Sequence, residues 1–109
     1  MSTSIQALLA SVRASSTLST PQKRDIDALL SAIESGLAPL AAQDPEGHAS
    51  LLNFLACAMH ESTRKERTSV IAMAARKGML LSFRPYEDAY PDLTANAYSL
   101  GNVLSSLGV

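Results

Sequence analysis

Few residues of this 109-residue chain have the chemistry and spacing needed for catalysis or metal binding. The stretch "HEST" at 60–63 begins like the zinc-protease motif, in which two histidines four residues apart face one metal ion. Position 64 holds Arg64 instead of the second histidine, so the motif is incomplete. The sequence therefore gives no support for a zinc protease.

Cys57 and His60 share one face of a predicted helix and could bind a metal ion together. His48 precedes His60 by three turns of the same helix, which is too far for a shared ion. Two ligands without a third favour a structural cysteine and a surface histidine. The sequence thus predicts no metal site and no cofactor.

Catalysis has no better support elsewhere in the sequence. Cys57 and His60 lack an identifiable loop or oxyanion donor that would activate a nucleophile. Asp88 and Asp92 could hold Mg²⁺ with Glu87, but acids beside a helix start are more often caps and solvated charges. No phosphate-binding glycine loop is present. We predict no catalytic residue, and a small helical enzyme is only the third functional hypothesis.

Charged residues are segregated along the chain. Residues 25–63 carry six acids and no base, and residues 64–84 carry six bases and one acid. One interpretation is that the basic segment forms a surface for phosphate, anionic lipid or an acidic protein. The alternative is that its charges attract the acids of the second predicted helix, which starts near Thr20, within the fold. The predicted basic surface consists of Arg64, Lys65, Arg67, Arg76 and Lys77.

Nucleic-acid binding through this segment is the second hypothesis. In a helix-turn-helix, Arg64, Lys65 and Arg67 would lie at the start of the recognition helix. However, the polar corner lacks the usual glycine turn, and the net charge is −1 instead of strongly basic. Protein binding is therefore the preferred interpretation.

Aromatic residues are concentrated between 83 and 90, beside Pro85 and Pro91. Tyrosine in a proline-stiffened loop offers a large contact area at low entropic cost. A loop that folds back over the core is the alternative, which we favour for Phe83 but not for the two tyrosines. The predicted partner-binding loop consists of Phe83, Arg84, Tyr86, Glu87, Asp88 and Tyr90.

The elements that position these residues are predicted to be helices. The chain is 47% hydrophobic and 17% charged, which favours a folded domain over disorder. Abundant Ala, Ser and Leu with few aromatics favour closely packed helices. We predict an all-α, single-domain compact bundle of four to five helices over 1–109, with 1–20 as a Ser/Thr-rich helical arm and loop.

The first two helices have distinct boundary signals. Helix one is expected from about residue 4 to 14. Thr20 before a proline is typical of an N-cap, and Gly36 or Pro39 is expected to end or kink helix two. The following "QDPEG" at 43–47 is predicted to be a loop.

Helix three is predicted to start at Asp44 and to be the central helix, because it is apolar around most of its circumference. Leu52, Leu55 and Met59 should then be nearly inaccessible. Thr63 and Glu66 fit a capping box, which favours a new helix start over one continuous helix.

The later boundaries follow from Gly78 and Asp92. Gly78 is expected to end helix four, 79–91 is expected to be a loop, and Asp92 is expected to cap the last helix. Small residues spaced by four in that helix predict close self-association as a homodimer. The predicted self-association stripe consists of Ala97, Leu100, Gly101, Leu104 and Ser105.

The first 24 residues hold nine Ser or Thr, three bases and no acid, a composition that resembles a transit peptide or secretion leader. We prefer a bundle helix followed by a Ser/Thr loop. The single cysteine cannot form an internal disulfide, and no apolar run is long enough to cross a bilayer. We expect a cytoplasmic protein with no membrane partner, which regulates, links or inhibits another protein without catalysis.

Overall fold

The computed structural model describes residues 4–107, which fold as a compact all-α bundle without strands. The predicted helical fold is therefore confirmed. A short 3-10 helix, Arg84–Tyr86, follows the fourth of the five helices directly. The five helices are α1 (Ile5–Ala14), α2 (Thr20–Gln43), α3 (Pro45–Thr63), α4 (Ser69–Phe83) and α5 (Pro91–Ser105).

One hydrophobic core receives side chains from all five helices. α3 contacts each of the other four, whereas α2 and α4 do not touch. α2 and α5 approach closely at Gly36, where a Cβ would lie 3.1 Å from Leu93 Cδ1. Among residues 4–107, no helix combines the length and hydropathy needed to cross a membrane.

α2 begins one residue earlier and ends later than predicted. Its N-cap is Ser19 instead of Thr20, and the Ser19 and Gln22 side chains each accept a hydrogen bond from the other residue's backbone N–H. Neither Gly36 nor Pro39 ends the helix. Pro39 is exposed, while Leu37 and Leu40 on either side are buried, so core packing continues past the proline.

The predicted loop at 43–47 is absent, because Asp44 alone joins α2 to α3. Its backbone N–H donates to Leu40 O, and its carboxylate Oδ1 accepts from the Gly47 N–H at 2.9 Å. The predicted helix start at Asp44 is therefore confirmed. One residue closes the first helix and caps the second.

α3 is less enclosed than predicted. Leu55 and Met59 are buried, but Leu52 is only partly buried and Phe54 is 44% exposed. The helix contacts all of the other helices, yet one side of its apolar surface faces outward.

The predicted junction between α3 and α4 is confirmed, but its predicted cap is wrong. Residues 64–68 are non-helical, and α4 starts at Ser69. Thr63 is the last residue of α3, and its hydroxyl donates to Met59 O. The carbonyl of Thr63 accepts from the Thr17 hydroxyl, so Thr63 closes a helix instead of opening one.

Gly78 does not end α4, and most of the predicted loop at 79–91 is helical. Met79 and Phe83 are fully buried and extend the helix into the core. Asp92 lies in the first turn of α5, whose N-cap position is Tyr90. The buried stripe of α4 outweighs the weak helix propensity of one glycine.

The predicted self-association stripe lies inside the monomer. Ala97, Leu100, Gly101 and Leu104 are buried, and only Ser105 is exposed. A Cβ at Gly101 would lie 2.9 Å from Leu80 Cδ2, so α4 of the same chain occupies the groove between the small residues. The surface on which the predicted self-association rested is therefore not available to a second copy.

Candidate functional site

The large exposed apolar side chains are concentrated on two neighbouring helices, α3 and α4. Within residues 4–107, all five belong to α3 or α4, and α4 alone supplies four of them. Val70 is the most exposed, at 75%. We call this surface the α3–α4 face, and it consists of Phe54, Val70, Ile71, Met73 and Leu81.

The two sides of α4 are both apolar. Ala72, Met79 and Phe83 are buried on the inner side. Val70 and Leu81 lie on the outer side and are separated by about 16 Å along the helix axis, or three turns. α4 therefore presents an outward apolar row as well as a core stripe, and the outer row has no covering element in the described part of the chain.

Phe54 joins α3 to this row. Its ring lies against the backbone of α4 at Gly78, where a Cβ would stand 3.3 Å from Phe54 Cδ1 and Cε1. A Cβ at 78 would require the Phe54 ring to shift slightly. The glycine that the sequence analysis interpreted as a helix stop instead permits a close approach of two helices.

A groove of about 470 Å³ lies between the first half of α3 and the second half of α4. Phe54 and Leu81 form part of its apolar wall, and Tyr86 lies at the end near Asp44. A Cβ at Gly47 would collide with the Tyr86 hydroxyl, so this glycine is needed for the local packing. The residues lining the groove are Gly47, Ser50, Leu51, Phe54, Gly78, Leu81, Ser82, Pro85 and Tyr86.

Tyr86 fixes this end of the groove through a polar contact. Its hydroxyl donates to Asp44 Oδ2 at 3.0 Å, so the carboxylate that caps α3 also holds the 3-10 helix. Partial burial raises the pKa of the Tyr86 phenol, and the hydrogen bond to Asp44 and the negative charge of Asp44 raise it further. The Tyr90 hydroxyl donates to Gln43 Oε1 nearby.

The predicted partner-binding loop divides into core, groove and surface residues. Phe83 is fully buried, which agrees with its interpretation as a core residue. Tyr86 lines the groove, and Tyr90 is partly buried beside it with ring centroids 6.4 Å apart. Arg84, Glu87 and Asp88 are exposed and form no ion pair among the described residues. The structure thus brings only Tyr86 to the α3–α4 groove.

The predicted basic surface lies around the start of α4 and along it. Arg64 is paired with Glu61 at 3.1 Å, and Arg67 donates to the carbonyl of Ser62. Lys65 and Lys77 are exposed. Arg76 is partly buried, and its Nη1 has no hydrogen-bond acceptor among residues 4–107.

The acids of α2 do not neutralise this basic segment. The Asp27 carboxylate forms an ion pair with Arg13 Nε of α1 at 2.8 Å, and the Glu34 carboxylate accepts hydrogen bonds from the Gln6 side-chain amide of α1. Of the six cations in 64–84, only Arg64 has an acidic partner in the described part of the chain. The interpretation that helix two and helix four attract each other is therefore wrong.

The residues considered for metal binding or catalysis are not brought together. Cys57 is exposed, and His60 lies 3.9 Å from Glu61 at the far end of α3. His48 lines a separate cavity of about 290 Å³ with Glu34 and Ile5. No group of three or more His, Cys, Asp or Glu side chains within residues 4–107 is arranged to hold a metal ion.

The sequence analysis assigned Phe54, Val70, Ile71 and Met73 to helices but not to a binding site. A signal was present, because Val70, Ile71 and Met73 lie in the apolar run 70–75 and Phe54 begins the equally long run 54–59. A helix that is apolar on all sides can be enclosed or can bind a partner, and its periodicity does not distinguish the two.

Comparisons with protein-family models, with curated proteins and with solved structures find no match for this chain.

Proposed function

We propose that this protein is a non-catalytic interaction module that binds another protein through the α3–α4 face and thereby regulates, links or inhibits it. One observation carries the proposal: the five large exposed apolar side chains of the described chain all lie on this face. Such side chains scattered singly would need no explanation, but a group beside a groove is typical of protein-interaction sites.

Binding would remove these side chains from water. Burial of apolar surface contributes about 25 cal/mol per Å², so a partner that covers this group gains most of its affinity here. Gly78 supports the same role, because it lets Phe54 and α4 form one continuous surface.

The test is a double substitution on the face with a matched double substitution elsewhere. Val70→Glu with Leu81→Glu adds two acids to the exposed row of α4. Ala10→Glu with Ala41→Glu adds the same charge at exposed positions of α1 and α2. Circular dichroism and thermal unfolding establish that all three proteins are folded.

Each protein is then used for quantitative affinity capture from the native cell. We expect a partner that the wild type and the control variant retain equally and that the face variant loses by at least about tenfold, which corresponds to about 1.4 kcal/mol. Equal retention by all three proteins would contradict the proposal.

Nucleic-acid binding is the second candidate, and the unpaired cations of the basic segment favour it. The outer side of α4, which a recognition helix would present to the major groove, instead carries Val70, Ala74 and Leu81, with Lys77 as its only charge. If this candidate is correct, replacing Arg64, Lys65 and Arg67 by Ala reduces the salt dependence of DNA or RNA binding by about one unit per lost contact. The absence of binding at low salt would exclude it.

A further inference from the structure

We infer that the segment bound on the α3–α4 face is an amphipathic α-helix of another protein, with acidic side chains along one flank only. This inference rests on the proposed function, because it names the chemistry of the partner for that same face. Three features of the molecule support it: the shape of the groove, the cations on the α4 side of the face, and the absence of Lys and Arg from α3.

The groove has the shape that a helix needs. Phe54 packs near Gly78 and Gly47 near Tyr86, so α3 and α4 run antiparallel, and the groove runs between the first half of α3 and the second half of α4. Val70 and Leu81 are about 16 Å apart, which matches three turns of a partner helix with apolar residues at i, i+4, i+7 and i+11. An added β-strand is disfavoured, because no strand edge exists among residues 4–107.

Cations lie on the α4 side of the face. Lys77 lies one turn after Met73 and one turn before Leu81, and it is exposed. Arg84 follows at the end of the helix, and Lys65 precedes its start. None of these three has an acidic partner in the described part of the chain, so their charges are available to a bound molecule.

The α3 border differs in charge. Residues 50–57 contain no charged side chain, and their exposed polar residues include Ser50 and Asn53. Glu46, in the first turn of α3, is exposed and acidic. A helix placed between the two borders therefore meets positive charge on the α4 flank and neutral or acidic groups on the α3 flank. Acids on the flank facing α4 are stabilised, and acids on the other flank gain nothing.

The same arrangement disfavours a second copy of this chain as the occupant. A two-fold dimer whose axis crosses α4 would bring Lys77 and Arg84 of both copies together. Like charges at a desolvated interface oppose association. An acidic helix satisfies both the apolar row and the cations.

The experiment is an unbiased selection of displayed helical peptides against the full-length protein. We expect enriched peptides to carry apolar residues at i, i+4, i+7 and i+11 and acids on one flank of that stripe. Their affinity should weaken when the salt concentration rises, because screening reduces the attraction between flank and border.

Matched charge reversals then identify the border. Lys77→Glu removes an exposed cation from the face, and Arg24→Glu removes an exposed cation from α2. We expect Lys77→Glu to weaken the selected peptides by at least about fivefold, with less than about twofold change for Arg24→Glu. Equal effects of both variants would overturn the inference.

The remaining outcomes separate this inference from the proposed function. Peptides that lose binding on Val70→Glu with Leu81→Glu but have neutral or basic flanks would overturn the acidic helix and leave the binding face intact. Failure to enrich any peptide that depends on the face would contradict both. A wild-type dimer that dissociates in the face variant, or binding to anionic lipid vesicles through Lys77, would assign the face to a second copy or to a membrane surface and overturn the inference.

Discussion

Phe54 and Leu55 are sequence neighbours with opposite environments. Substitutions at these two positions should therefore distinguish a contribution to stability from the proposed contribution to partner binding. Leu55 is fully buried and Phe54 is 44% exposed. Leu55→Ala should lower the free energy of unfolding by about 2–5 kcal/mol, because it leaves a cavity in the core. Phe54→Ala should lower it by less than about 1 kcal/mol and weaken partner binding instead. Denaturant unfolding of both variants measures these changes in the free energy of unfolding. Equal losses for the two variants would contradict the prediction.

Tyr86 makes stability depend on pH in the alkaline range. Partial burial, the hydrogen bond to Asp44 and the charge of Asp44 raise the pKa of its phenol in the folded state. The folded state therefore keeps the proton where the unfolded state begins to lose it, and stability should fall as the pH rises above about 10. The phenol's contribution is fully present below that pH.

Tyr86→Phe tests this contribution. The variant should lose about 0.5–1.5 kcal/mol at neutral pH, because the Asp44 carboxylate loses a hydrogen bond. It should also show a shallower alkaline decline than the wild type. Tyr98→Phe is the control, since Tyr98 donates no hydrogen bond among the described residues. Identical alkaline profiles for Tyr86→Phe and wild type would contradict the assignment.

At the scale of elements, the start of α2 distinguishes the observed cap from the one suggested by sequence. Ser19 accepts from the Gln22 N–H, whereas Thr20 is exposed and is the first helical residue. Ser19→Ala should cost about 0.5–2 kcal/mol of stability, because it leaves a helix donor without its acceptor. Thr20→Ala should change stability by less than about 0.5 kcal/mol. Thermal and denaturant unfolding measure both losses of stability. If Thr20 were the cap, Thr20→Ala would cost more stability than Ser19→Ala.

Helix identity was predictable from sequence, but several helix ends were not. Pro45 after Asp44 fixed the start of α3, since the cap and the proline signal are both local. Gly36, Pro39 and Gly78 are also local signals, yet the helices continue through them. Core contacts on both sides of each residue, which involve distant parts of the chain, decide these positions.

At the scale of the whole molecule, sequence could not show which apolar surface remains exposed. The spacing of Ala97 and Gly101 correctly indicated that another helix approaches closely, but not which helix. α4 fills that groove with Leu80 and leaves Val70 and Leu81 outside. The choice between an internal helix and a second chain depends on the assembled core. The sequence analysis therefore missed the exposed α3–α4 face and assigned the close contact at Ala97 and Gly101 to a second chain instead of to α4.

Gly101 gives the final prediction, because the two roles imply different results for one substitution. If Gly101 serves packing within the monomer, Gly101→Leu introduces a side chain where even a Cβ lies 2.9 Å from Leu80 Cδ2. Overpacking of this kind should lower the free energy of unfolding by about 1–3 kcal/mol. Light scattering should give the 11.5 kDa mass of one chain for both the variant and the wild type at micromolar concentration. A matched Asn102→Leu, at an exposed position of the same helix, should leave both stability and mass nearly unchanged. If the wild type were a dimer and Gly101→Leu a stable monomer, α5 would be a dimer interface. Internal packing alone cannot change the mass of the protein in solution.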